Sequence, residues 1–226
     1  MTRFPEKYKI PKFDVFASLL QMTKKYGFPH LRDQLVKHLR GAYPTKWEAY
    51  QTTGVLGEDI FGAPKPHPNA VLSVLSEHNV RFAIPFAAYR ASLCGLSVLM
   101  SDEPGMVIPR RALASATHGY AEIRRVMTQA AHTIVYEENI LRICYKSPCA
   151  LNVGTKRMEE RKEALKKLYN AMIGEREAGV LSSPSLGGLA CVECINRMKA
   201  SHTVSCKACW DLFPAAFLVA KCWDEV

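Results

Sequence analysis

The chain has 226 residues, 48% of them hydrophobic and 23% charged, which is enough apolar material to bury a core and gives no compositional case for wholesale disorder. Thirty Lys and Arg against 21 Asp and Glu leave a formal charge of +9, but the basic pairs Lys24–Lys25, Arg110–Arg111, Arg124–Arg125 and Lys166–Lys167 lie far apart and none is interleaved with aromatic residues. Such dispersed charge reads as solvated helix faces and makes specific nucleic-acid binding unexpected, and no stretch approaches the roughly 20 apolar residues of a membrane span, since Ala83–Met100 is interrupted by Pro85, Arg90 and Gly95.

Met1 to Pro11 holds Arg3, Lys7 and Lys9 without an apolar run behind them, so it does not read as a secretory signal, and an intracellular chain, cytoplasmic or nuclear, is expected. Phe13, Phe16, Ala17 and Leu20 then recur at i, i+3, i+4 and i+7, one helical stripe, ended by Tyr26, Gly27 and Pro29. Leu31, Leu35 and Leu39 predict a second helix closed by Gly41 and Pro44, and Trp47 with Tyr50 a short third. Gly54–Pro68 is rich in Gly and Pro and reads as a loop. Val71, Val74 and Leu75 mark one helix of a following pair, and Phe86, Tyr89 and Leu93 the other.

A loop is expected from Gly95 to Pro109. A short helix near Leu113 then meets Gly119, after which Tyr120, Ile123, Met127, Ala130 and Ile134 predict a long amphipathic helix. Cys144–Gly154 is a turn-rich break. A charged helix from Lys156 carries Met158, Leu165, Leu168, Tyr169 and Met172 on its apolar side, and Gly174–Gly188 is the best linker in the chain. The last part, from about Gly187, is expected to dock back through Trp210, Phe213, Phe217 and Trp223. No segment alternates with period two, so the expected fold class is all-α, an irregular helical bundle with a small C-terminal helical segment.

Phe13–Pro44 (FDVFASLLQMTKKYGFPHLRDQLVKHLRGAYP) resembles the end of the BTB/POZ region and the following helices in BTB-domain proteins of mushroom-forming fungi. Ala70–Ser92 (AVLSVLSEHNVRFAIPFAAYRAS), the stretch around Gly119 and Tyr120, the CVEC of Cys191–Cys194 and the CWDLFPAAF of Cys209–Phe217 are similar to later pieces of that family, in the same order. The resemblance implies BACK-like helices and a non-catalytic adaptor that binds a protein partner. It divides the chain into residues 1–53 (end of the BTB region and following helices), 54–175 (a central helical domain) and 176–226 (a docked C-terminal segment). The upstream BTB core has no counterpart in this sequence, so neither a BTB-mediated homodimer nor recruitment of a cullin-type ubiquitin ligase through that core is implied. A basic, zinc-containing nucleic-acid-binding module is the alternative.

No enzymatic constellation stands out. The Gly154–Lys156 GTK lacks the preceding glycine of a P-loop, and His30, His38, His67, His78, His118, His132 and His202 form no HExxH or comparable pair. Glu137 with Glu138, and Glu159 with Glu160, are adjacent on helices and point in different directions. The cysteines, eight in all, carry the one chemical logic. In a reducing compartment short-spaced pairs favour metal ligation or burial over disulfides. Cys144 and Cys149 flank a break containing Pro148, and with the Cys191–Cys194 CxxC they make a four-thiolate set for a structural zinc that would staple the C-terminal helices across the linker. A second arrangement pairs Cys191 and Cys194 with Cys206 and Cys209, His202 being a substitute ligand. It is disfavoured because residues 195–205 hold neither Gly nor Pro and a helix there separates the pairs. A third has no metal, all cysteines being small core residues, as expected for Cys94 and Cys222.

Overall fold

Helix α1 (Phe13–Tyr26) buries Phe16, Leu20 and Thr23 along the stripe the sequence indicates. Gly27, at φ 67°, ends it in the left-handed region that glycine enters without a Cβ clash. In the computed structural model the described residues are 12–53, 57–101, 103, 107–137, 149, 158–173, 181 and 190–226, with backbone alone for 137, 158–161 and 173. Among them there are ten α-helices, short 3-10 and π turns and no strand, so the fold is an all-α irregular bundle. No helix among the described residues is long and apolar enough to cross a membrane.

The chain forms two compact units, residues 1–120 with 213–226, and residues 121–212. In the first, α1 packs on α2 (Pro29–Leu39), whose Leu35 and Leu39 are buried. After α3 (Trp47–Thr52), the region expected to be a plain loop contains a 3-10 turn, Gly57–Phe61. Phe61 meets Phe13 and Phe16 with ring centroids 5.2 and 5.3 Å away. Helix α5 (Ile84–Leu93) is the hub, packed against α4 (Pro68–Glu77), α6 (Leu96–Leu99) and α10 (Phe213–Ala216). The short α6 lies inside the expected 95–109 loop. Asn69, fully buried on α4, ties it down by donating from Nδ2 to the Val98 carbonyl at 2.8 Å.

Inside this unit Glu58 is buried and accepts from Arg90 Nε at 3.1 Å, with a second bond from Nη2. Burial, first, and the nearby Glu58 carboxylate hold the Tyr43 hydroxyl well above its usual pKa, so it stays a neutral phenol. Removing Arg90 strands a carboxylate away from water, which costs more than an exposed ion pair is worth. Arg90→Ala is therefore expected to lower stability by about 2 kcal/mol, discounted because the arginine is partly exposed. Urea denaturation of Arg90→Ala beside Glu58→Gln checks this, the glutamine variant losing less because the charge it leaves behind, the Arg90 guanidinium, is partly exposed to water whereas Glu58 is buried.

The long helix α7 (Arg110–His132) runs without interruption through Gly119, where the sequence suggested a junction between a short and a long helix. Glycine is required there because an added Cβ would overlap the ring of Phe217. It answers a packing demand and does not break the helix. Past Tyr120 the helix belongs to the second unit, where it passes into a π turn, Thr133–Glu137, that buries Ile134 and Val135 in succession. Helices α8 (Met158–Ile173) and α9 (Val192–Asp211) pack on that turn. Ala131, Leu168, Met172 and Met198 join it in one core, which also takes in Cys149 and Cys194.

The C-terminal aromatics divide between the units. Trp210 is fully buried in the second, whereas Phe213 and Phe217 are fully buried in the first, Phe213 lying 5.2 Å from Tyr89. Trp223 is half-buried.

Candidate metal centre

Cys191 is the N-cap of α9 and Cys194 lies one turn in, so the CxxC puts both sulfurs at the end of a helix whose first backbone N–H groups lack intrahelical acceptors. That end carries partial positive charge and favours thiolate over thiol. Cys149 arrives from a distant part of the chain and accepts a hydrogen bond from the Cys191 backbone N–H at 3.4 Å. The ligand atoms of Cys149, Cys191 and Cys194 all lie within 4.8 Å of one another, Cys149 and Cys194 buried and Cys191 half-buried. Tetrahedral thiolate ligation at about 2.3 Å implies sulfur separations near 3.8 Å, so the trio is close enough to hold a metal after a small inward adjustment. Three thiolates are a soft donor set, suited to zinc or copper(I) and not to calcium or magnesium. Cys144, the fourth residue of the expected set, falls outside the described residues.

The alternative set is not brought together. Helix α9 is unbroken from Val192 to Asp211, and twelve residues at about 1.5 Å each put Cys194 and Cys206 roughly 18 Å apart along the axis. Cys206 and Cys209 are instead buried with His202 on one face of α9, the Cys206 sulfur 3.5 Å from His202 Nδ1. Burial pushes both thiols up to about 12, leaving them protonated and unreactive at neutral pH. Cys222 is exposed, contrary to its expected place in the core, and Cys94 is half-buried with its thiol pKa raised by burial.

Burial also lowers the pKa of His202. Its folded value thus lies below the unfolded one of about 6.5, and the neutral ring contributes stability that is present above pH 6.5 and lost as pH falls through the lowered value. Guanidinium melts between pH 7 and 5 should show stability declining with acid, and a shallower slope in His202→Leu. Equal slopes would assign the acid sensitivity elsewhere.

Three other histidines make hydrogen bonds within the fold. His67 caps α4 by accepting from the Asn69 N–H at 3.2 Å, His118 Nδ1 donates to the Ala216 carbonyl at 2.8 Å, and His30 pairs with Gln34 at 3.1 Å. His132 rests against the Tyr136 ring. His78 has its pKa lowered by burial and by Lys24. The Gly154–Lys156 segment and Glu138 lie outside the described residues, as do the side chains of Glu137, Glu159 and Glu160.

One surface went unnoticed in the sequence. Val15, Met22 and Tyr26 on α1 are 50%, 47% and 55% exposed, and with half-buried Leu19 they follow i, i+4, i+7 and i+11, a second apolar stripe beside the buried one. Phe28, 51% exposed, extends it past the helix end, its ring 6.3 Å from Tyr26. No family model, no curated protein and no solved structure matches the chain.

Proposed function

We propose that this chain is a non-catalytic protein-interaction module, an intracellular adaptor whose helices are of the kind that follow a BTB/POZ core. The observation that carries the reading is the exposed stripe of Val15, Leu19, Met22 and Tyr26 with Phe28 beside it. Isolated surface apolar residues are ordinary, but a run at heptad-like spacing on one helix is the pattern by which a partner helix or groove is engaged. The stripe falls within the Phe13–Pro44 segment that carries the BTB-family resemblance. The buried, protonated state of Cys206 and Cys209 agrees with a structural role for the α9 face.

In this reading Cys149, Cys191 and Cys194 hold a structural zinc, with Cys144 completing the set. The metal supplies a crosslink between distant chain segments and no open position for substrate.

Affinity capture from the native source with the full chain and with Met22→Glu/Tyr26→Glu tests the function. Both positions are exposed, so the variant should fold normally. Proteins retained by the parent and lost by the variant support the reading. Capture of the same proteins by both overturns the stripe as the interface, and nucleic acid retained tightly at high salt would favour the basic zinc-module alternative.

A further inference from the structure

In the first unit the loop after α4, the first turns of α7 and the segment following α10 enclose a cleft of about 560 Å³. That volume lies within the range of sites that take a ligand of drug size. Ile84, Ala112 and Phe217 supply apolar lining, and Arg81 and Arg111 are exposed in its wall. Among the described residues neither guanidinium has a carboxylate partner; Arg81 donates from Nη2 to the Val219 carbonyl at 3.0 Å. The one carboxylate of the lining, Glu77, accepts from Ser73 Oγ at 3.2 Å. The Ser76 hydroxyl oxygen is buried beside the cleft with no hydrogen-bond partner. Leu218 completes the rim at φ 55°, a conformation unfavourable for leucine, with its side chain 57% exposed.

We propose that this cleft binds a short peptide segment of a partner protein that carries a carboxylate next to an apolar side chain. The carboxylate would pair with Arg111 and Arg81, whose fork geometry suits it, while the apolar side chain lies against Ile84 and Leu218. Charge complementarity selects this occupant. Two arginines and one glutamate, the latter engaged by a serine, line the cleft, which among the described residues leaves positive charge unanswered in a concave, partly apolar setting. A nucleic-acid backbone is a poorer match, because its successive phosphates need a basic track and would meet Glu77.

The inference rests on the protein-interaction reading and names a second surface for it, separate from the α1 stripe. Fluorescence anisotropy with the full chain would compare two labelled peptides, one alternating Glu and Leu and one alternating Gln and Leu. The acidic peptide should bind about tenfold more tightly, with affinity falling as salt rises. Arg111→Glu, which spares the Arg81–Val219 bond, should abolish that preference. Leu218→Gly relieves the backbone and should keep the fold, as judged by circular dichroism, while weakening both peptides. Equal binding of the two peptides, no binding of either, or an unchanged preference in Arg111→Glu overturns the proposal, as does displacement of the acidic peptide by a single-stranded oligonucleotide. The affinity capture separates this from the wider reading. Partners kept by Arg111→Glu and lost by Met22→Glu/Tyr26→Glu overturn the cleft alone. A peptide preference abolished by Arg111→Glu, with no protein captured by the parent, supports the cleft and overturns the adaptor function.

Discussion

Gly119→Ala is expected to destabilise the chain by about 3 kcal/mol, although the same change inside an ordinary helix stabilises it by about 1 kcal/mol. An alanine Cβ at this point of α7 would come within 2.6 Å of Phe217 Cγ and nearer still to two other ring carbons. The ring is fully buried and stands edge-on to Phe213 at 5.3 Å. Its backbone is fixed as well, since the Phe217 carbonyl accepts from Ser115 Oγ and the adjacent Ala216 carbonyl accepts from His118 Nδ1. The overlap therefore has to be relieved by moving α7 or by ejecting a buried phenyl ring, and either costs more than the propensity gain. Urea denaturation of Gly119→Ala, Phe217→Ala and the double variant gives the coupling directly. Alanine at 119 should cost little once the ring is gone; an equal penalty in both backgrounds would place the cost in the helix itself.

How much of this was legible in the sequence depended on whether the signal was local. The bounds of α1 followed from Gly27 and Pro29, and the continuity of α9 from the lack of Gly and Pro between Cys194 and Cys206, which sufficed to separate the two cysteine pairs. The proximity of Cys149 to the CxxC was readable because short-spaced cysteine pairs have few uses besides metal ligation, disulfide formation and burial. Gly119 misled because glycine in a periodic run signals a break, whereas its cause is a ring nearly a hundred positions away. Helix α6 is only four residues long, too short for any period to register. The stripe of Val15, Leu19, Met22 and Tyr26 sat in plain view, but a helix with apolar residues on two adjacent faces gives no local sign of which one stays exposed. The cleft could not be read at all, because Glu77, Arg111 and Leu218 meet only through the packing of α4, α7 and the C-terminal segment.

The largest effect expected is on metal. Purified under reducing conditions, the chain should carry one zinc, and Cys191→Ser or Cys194→Ser should abolish it, whereas Cys206→Ser should leave it unchanged. The contrast follows from the two environments of α9. Cys191 and Cys194 sit at a helix N-terminus, whose partial positive charge suits thiolates, and beside them lies the Cys149 sulfur, which accepts from the Cys191 backbone N–H. Cys206 and Cys209 are buried in the C-terminal part of α9, with thiols pushed up to about 12 by that burial, and cannot release protons cheaply to a metal. Because the trio joins α9 to a distant part of the chain, zinc removal should loosen the second unit: chelator should lower its thermal midpoint by on the order of 10 °C, a shift absent in Cys191→Ser. Cys144→Ser decides the fourth ligand, since loss of zinc assigns it to Cys144 and full retention assigns it to another donor. Cobalt substitution offers a metal-based readout, for tetrahedral thiolate coordination gives intense visible absorption and sulfur-to-cobalt charge transfer. A parent chain that takes up neither zinc nor cobalt would return these three cysteines to the core as apolar residues.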